Sequence, residues 1–279
     1  MTCPAPSVLI FTDLDGTLLD DRYAMDAASA AMDACNEFGG ICIPVTSKTF
    51  DEVKGLNLSR TFPAPVIFEN GAGILWPSRT QPEILGMPAA TISELLGQMR
   101  VKHGFQFRGF MDMDAAEVAS LTGLALADAD LAQRRLASQP LRWNDSRDAL
   151  DDFIAALEPE GLQAVEGGRF HCVTDVQCNK GSAMLRAAAG YSHGDATVPI
   201  IACGDAPNDI SMLVAADFPI VFPSRHGGYM QLPGGKDSYR ATAAGHEAWL
   251  VAVSDVINQQ FAYNSTLTLH PSECDKNTC

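Results

Sequence analysis

Phe11-Thr12-Asp13-Leu14-Asp15-Gly16-Thr17-Leu18-Leu19-Asp20 follows directly on the apolar run Val8-Leu9-Ile10-Phe11. A short unbroken apolar run of this kind predicts a strand buried on both faces. Side chains two apart on an extended chain point the same way, so Asp13 and Asp15 face one reaction centre just past the strand end. Gly16 permits a sharp turn beyond them. In an open parallel sheet, ligands bind in the crevice at the carboxyl ends of the strands, where this pair falls. Two acids at a buried strand end repel unless a cation or a shared proton compensates.

Working outward, the chain of 279 residues is 47% hydrophobic and 19% charged, enough core material for one large or two ordinary domains. The formal net charge of -15 argues against non-specific nucleic-acid binding and against docking on anionic lipid. Attraction for an anionic substrate must therefore come from a few local cations or a metal. No segment is long and apolar enough to span a membrane, and Met1 to Ser7 lacks the basic start of a signal peptide, so a cytoplasmic location is expected. The eight cysteines include no CxxC pair and are expected to be reduced, with Cys35, Cys42 and Cys203 as small core residues.

The spacing predicts a helix from Met25 to Phe38, a buried strand at Ile41 to Val45, a helix opened by a Thr49/Glu52 capping box, and a third strand at Val66 to Phe68 that ends in Glu69-Asn70-Gly71. Strand-helix-strand-helix-strand is the signature of a doubly wound parallel sheet. From 83 to 171 the texture changes to mixed helices and short alternating strands, read as an inserted α+β cap. The sheet then resumes: a helix opens at Asn179-Lys180-Gly181, a strand at 198–203 ends in Gly204-Asp205-Ala206-Pro207-Asn208-Asp209, and a fifth strand covers Pro219 to Phe222. The expected division is a core at 1–82 and 172–262, a cap at 83–171, and a disordered tail at 263–279. No nucleotide-binding loop is expected in the glycine-rich stretch 227–235.

Separate strand ends thus deliver Asp13 and Asp15, then Thr46, then Asp205 and Asp209, with Lys180 from a helix start. Four carboxylates and one ammonium around one crevice are costly as a purely structural cluster. They suit a hard divalent cation with oxygen ligands, for which Mg²⁺ is the usual partner of a phosphate. On this reading Asp13 attacks phosphorus, Thr46 and Lys180 hold the phosphoryl oxygens, and Asp15 serves as acid and then base.

Asp13-Leu14-Asp15-Gly16-Thr17, the strand-end Thr46, Lys180-Gly181 and Gly204-Asp205-Ala206-Pro207-Asn208-Asp209 together resemble the haloacid dehalogenase (HAD) superfamily of phosphatases. The resemblance covers essentially the whole folded chain. It implies a Rossmann-like core, Asp13 as nucleophile, and Mg²⁺ held by Asp13, Asp15 through its carbonyl, Asp205 and Asp209. The position of the insert resembles subfamily IIB, whose α+β cap closes over sugar phosphates. More narrowly, Thr46-Ser47-Lys48-Thr49, Glu69-Asn70-Gly71, Arg135 to Pro140 and Gly167 to His171 are similar to the mannosyl-3-phosphoglycerate phosphatases, which make the compatible solute mannosylglycerate. That similarity implies substrate contacts from Ser47, Lys48, Arg135, Ser138, Gln139, Arg169 and Asn208. Arg135 and Arg169 suit a glycerate carboxylate, because a guanidinium binds one in a fork; Ser138 and Gln139 suit sugar hydroxyls. The chain departs from that pattern at Gln139 (Glu expected), Ala137 (Tyr) and Asn179 (Asp). A glucosyl substrate fits nearly as well, and sucrose 6-phosphate or a hexose phosphate is the alternative. A non-catalytic binding module is the remaining one, against which stand Asp13, Asp15 and Lys180.

Overall fold

The computed structural model describes residues 6–19, 25–37, 39–55, 64–77, 79–167, 170–191, 197–225 and 227–261. Arg169 and the 263–279 tail lie outside them. The chain opens with β1 (Val8–Thr12), α1 (Met25–Glu37), β2 (Gly40–Pro44), α2 (Phe50–Gly55) and β3 (Val66–Phe68). Then follow β4 (Gly73–Leu75), β5 (Glu83–Ile84), α3 (Ala89–His103), β6 (Phe107–Gly109), α4 (Ala115–Thr122), α5 (Leu126–Gln133), β7 (Ser138–Trp143), α6 (Arg147–Leu157), β8 (Leu162–Gly167) and β9 (Phe170–Asp175). The last part holds α7 (Lys180–Ala188), β10 (Ile200–Gly204), α8 (Ile210–Ala215), β11 (Phe218–Val221), β12 (Tyr239–Arg240) and α9 (His246–Phe261).

A five-stranded parallel sheet in the order β12-β11-β10-β1-β2 forms the centre. All five residues of β1 are buried. Val8 and Ile10 pack beneath α1 and α9, against Met32, Trp249 and Val253. Leu9 and Phe11 alternate to the opposite face, against Ala183 and Met184 of α7 and Met212 and Leu213 of α8. Helices on both faces are what an all-parallel sheet requires. The expected core cysteines Cys35, Cys42 and Cys203 are indeed buried free thiols in this layer.

β3 departs from the expected ladder. It touches the central sheet through one parallel bridge, Val45 to Ile67, and otherwise pairs antiparallel with β4, which pairs with β5. The reason is the turn at its end: Glu69 and Asn70 both take positive φ (48° and 56°), which reverses the chain into a hairpin. β12, an edge strand of two residues, lacks a readable pattern and was not expected.

The second sheet, β6-β7-β9-β8, is antiparallel. Ile92, Leu96 and Met99 of α3 and Leu150, Phe153 and Leu157 of α6 cover one face, meeting Phe107, Leu141, Leu162 and Val173. The α4–α5 hairpin forms a smaller cluster around Phe110, Val118 and Ala129, with Phe170 against it. The expected 82/83 boundary falls just before β5, which belongs with β3 and β4, and 171/172 falls within β9. The expected Thr49/Glu52 capping box formed, its two residues bonding reciprocally, and Asp114 and Glu117 bond in the same way at the start of α4.

Candidate active site

Asp13 is the first residue past β1, and its N–H donates to the Cys203 carbonyl at 2.9 Å, tying it to β10. Asp205 is the first residue past β10. Gly16 (φ 93°) lets the two loops meet, since a Cβ there would lie 2.7 Å from Asp205 Oδ2. Lys180 opens α7. Asn179 caps that helix by accepting from the Ser182 N–H at 2.8 Å, while Ser182 Oγ accepts from the Asn179 N–H at 3.2 Å. A Cβ on Gly181 would meet the Ser211 carbonyl oxygen at 2.4 Å, so this glycine allows α7 to approach the Asp209 segment closely.

These elements converge on a buried charge cluster. The Lys180 ammonium, fully buried, donates to Asp13 Oδ1 and to Asp209 Oδ1, each at 2.6 Å. Asp209 Oδ2 accepts from the Asp205 and Ala206 N–H groups, both at 3.0 Å. Thr17 Oγ donates to Asp205 Oδ1 at 3.1 Å. Burial raises the Asp13 carboxyl well above its usual range; Lys180 opposes this, and Asp209, Asp15 and Asp205 add to it. Burial, helped by Asp209, pushes Asp205 up to about 6. Burial by itself would lower the Lys180 ammonium, but Asp13 and Asp209 hold it above its ordinary value.

One oxygen from each of Asp13, Asp205 and Asp209 lies within 4.8 Å of the others. Three carboxylates against one ammonium leave two uncompensated negative charges, and all the donors are hard oxygens. A divalent cation of the Mg²⁺ class fits that set in charge and in chemistry. Asp209 is the most committed of the three, with both oxygens already accepting from the protein.

The other expected residues separate into those that meet the cluster and those that do not. Thr46 is fully buried past β2, with its Oγ accepting from the Lys48 N–H at 3.2 Å. Asp15 forms an ion pair with Lys48 at 2.8 Å, both largely buried. Arg135 donates through Nη1 to the Ser47 carbonyl at 2.8 Å, and its buried Nε has no hydrogen-bond partner among the described residues. Asn208 Nδ2 donates to Asn70 Oδ1 at 3.0 Å.

Two expected sugar contacts, Ser138 and Gln139, are buried and bonded within the protein in this structure. Ser138 is fully buried, and its hydroxyl donates to Glu69 at 2.6 Å, so it serves the protein. Gln139, its neighbour on β7, alternates to the other face, where Nε2 donates to Ser93 Oγ of α3 at 2.8 Å. Its Oε1 is buried without a partner among the described residues. Register decides which residue of a strand faces inward, and the pattern alone did not reveal it. Thr17 and Glu69 were missed as site residues, although both lie in quoted motifs. Their partners are distant in sequence and carry no local signal.

No protein-family model matches the chain. Solved structures do resemble it. A haloacid dehalogenase-like hydrolase from B. subtilis superposes with a TM-score of 0.61 at 17% identity, over 91% of this chain and 99% of that one. A phosphatase of the HAD enzyme superfamily from Bacteroides thetaiotaomicron gives 0.65 at 15% identity, over 91% and 95%. A HAD subclass IIB sugar phosphatase gives 0.61 at 14% identity, over 90% and 98%. The chain has the fold of the haloacid dehalogenase-like hydrolases, parallel core and inserted antiparallel sheet included. No helix among the described residues is long and apolar enough to cross a membrane.

Proposed function

We propose that this protein is a Mg²⁺-dependent phosphomonoesterase acting on a small phosphorylated sugar or sugar acid. The observation that carries this reading is the buried Lys180 ammonium bridging Asp13 and Asp209, with the Asp205 carboxylate alongside. Asp13 is the nucleophile: its free carboxylate oxygen bonds to phosphorus as the ester oxygen departs, and Asp15 gives that oxygen its proton. Water then attacks phosphorus, Asp15 takes the water's proton, phosphate leaves and Asp13 is restored. Lys180 orients Asp13 and opposes the rise that burial gives its carboxyl, and Thr46 and Lys180 are assigned to the phosphoryl oxygens. Asp13, Asp205, Asp209 and the Asp15 carbonyl would hold the cation, which supplies charge neutralisation between carboxylate and phosphate.

The block 83–171 is proposed as the cap that excludes bulk water over the core at 1–82 and 172–262. Solved relatives of this fold include a subclass IIB sugar phosphatase, which favours a sugar phosphate as substrate class. Within that class we favour mannosyl-3-phosphoglycerate or its glucosyl analogue, hydrolysed in the cytoplasm to the glycosylglycerate and phosphate. The support is chemical. Lys48 and Arg135 stand at the rim of an acidic site in an acidic protein, and an unpartnered buried guanidinium N–H suits a carboxylate on the leaving alcohol. Sucrose 6-phosphate or a hexose phosphate is the competing substrate, since Ser138 and Gln139, the residues expected to read the sugar, are engaged with Glu69 and Ser93 in this structure.

The test is phosphate release with Mg²⁺ and with EDTA across mannosyl- and glucosyl-3-phosphoglycerate, sucrose 6-phosphate, mannose 6-phosphate and 3-phosphoglycerate. Preference for a glycosyl-phosphoglycerate supports the narrow reading. Similar weak rates on all of them leave only the phosphatase chemistry, and no Mg²⁺-dependent release from any refutes it.

A further inference from the structure

Glu69 is fully buried, yet nothing in the chemistry above uses it. Its carboxylate accepts three hydrogen bonds from one stretch of chain: the Leu136 N–H to Oε1 at 2.8 Å, then the Ala137 N–H at 3.0 Å and the Ser138 hydroxyl at 2.6 Å, both to Oε2. That stretch leads into β7. Glu69 and Asn70 are the two non-glycine residues with positive φ among the described residues, a conformation that persists only where surroundings enforce it.

The surroundings are the segments of the candidate site. The Glu69 N–H donates to the Lys48 carbonyl at 2.9 Å, and the Asn70 N–H to the Thr46 carbonyl at 3.0 Å. Asn70 Oδ1 accepts from Asn208, next to Asp209. A Cβ on Gly71 (φ 96°) would lie 2.2 Å from the Asn179 carbonyl oxygen, at the start of the Lys180 helix. The turn 69–71 therefore touches the Thr46–Lys48 loop, the Asn208–Asp209 loop and the α7 start, and through the Glu69 carboxylate it reaches the 136–138 segment of the inserted block. Around it the same seam continues, with Thr49 Oγ donating to the Leu131 carbonyl at 3.0 Å and Arg134 pairing with Asp51 at 3.4 Å.

We propose that Glu69 is a positioning residue that latches the 136–138 segment onto the loops carrying Thr46, Lys180 and Asp209, so that the inserted block is held in place over those loops when it closes on a substrate. A carboxylate is suited to this: it offers only acceptors, and all three groups it meets are donors. An amide of the same shape turns one of those contacts into donor against donor.

The test uses the full-length protein. In Glu69→Gln, hydrogen–deuterium exchange at the Leu136 and Ala137 amides is expected to speed up by about tenfold or more, with the amides of α3 and α6 unchanged, because only the latch opens. The kinetic arm rests on the phosphatase reading. There, KM for a glycosyl-3-phosphoglycerate is expected to rise by about tenfold more than KM for p-nitrophenyl phosphate, whose leaving group is too small to engage the block, with kcat changing less than KM. Unchanged exchange overturns the proposal, and so does an equal loss on both esters, which marks a merely structural role. If the wild type releases phosphate from nothing, the functional reading fails and exchange alone decides the latch. Should Glu69→Gln not fold, Ser138→Ala removes one of the three donors. Faster exchange at Leu136 and Ala137 supports the latch, and wild-type exchange overturns it.

Discussion

Replacing Asp205 by Asn should make the metal-free protein more stable at neutral pH, not less. Asp205 is held among like charges: Asp209 sits beside it, burial removes its water, and its carboxyl rises from 3.8 to about 6. A raised carboxyl binds its proton more tightly in the folded chain than in the unfolded one. Its contribution to stability is therefore full below about pH 3.8 and lost as the pH climbs through about 6. At about 1.4 kcal/mol per tenfold change in proton affinity, that loss is about 3 kcal/mol. Asn has nearly the same shape, keeps an oxygen to accept from Thr17, and carries no charge to be penalised. Urea or thermal unfolding in EDTA should then show the variant matching wild type near pH 4 and exceeding it by about 2–3 kcal/mol at pH 8. Adding Mg²⁺ should reverse the order, because the ion offsets the repulsion in wild type and loses a ligand in the variant. Parallel pH curves for the two proteins, or a variant less stable than wild type at pH 8 without metal, would falsify the assignment of Asp205 to an electrostatically strained cation site.

The remaining expectations use simpler readouts. Asp13→Asn should abolish phosphate release while leaving circular dichroism unchanged; wild-type-like turnover in that variant would overturn the nucleophile assignment. Lys180→Met removes the one cation shared by two buried carboxylates, and breaking a buried pair in this way costs about 3–5 kcal/mol, measurable as a lower urea midpoint at pH 7–8 that recovers on acidification. Gly71→Ala places a Cβ against the Asn179 carbonyl at a φ of 96°, so a loss of about 2 kcal/mol or more is expected on thermal unfolding, and a neutral result would show that the turn can shift. Arg135→Ala should raise KM for a substrate with an anionic leaving group by about tenfold while sparing p-nitrophenyl phosphate, as loss of a charge-assisted contact predicts; equal effects on both would remove Arg135 from substrate binding.

What could be read from the chain, and what could not, follows from the range of the forces involved. Asp13, Lys180 and Asp205 were legible because each sits at the end of an element whose own pattern is local: a run of apolar residues, or a helix start capped by Asn179. Once the two strand ends belong to one parallel sheet and α7 packs on its face, topology brings the three together. The core helices and most strands followed from the same periodicities. The α2 helix followed from the four-residue capping box of Thr49 and Glu52.

The antiparallel pairing of β3 and the surroundings of Gln139 were not legible, for a shared reason. Whether Val66 to Phe68 extends the parallel ladder depends on the two left-handed residues after it, and no local propensity of Glu or Asn demands that conformation. Whether Ser138 or Gln139 faces the site depends on pairing register with β9, where one residue of slip exchanges the two faces. Glu69 combines both effects. Its backbone N–H is held by the Lys48 carbonyl, and its three donors lie 67 to 69 residues away. A charged residue at the end of an apolar strand reads locally as a solvated turn, and only the assembled fold turns it into a fully buried acceptor. Glu69→Gln is therefore the substitution that best separates local from tertiary information here. The change leaves the pattern of the chain nearly untouched, so any opening of the 136–138 segment must come from contacts that the pattern never encoded.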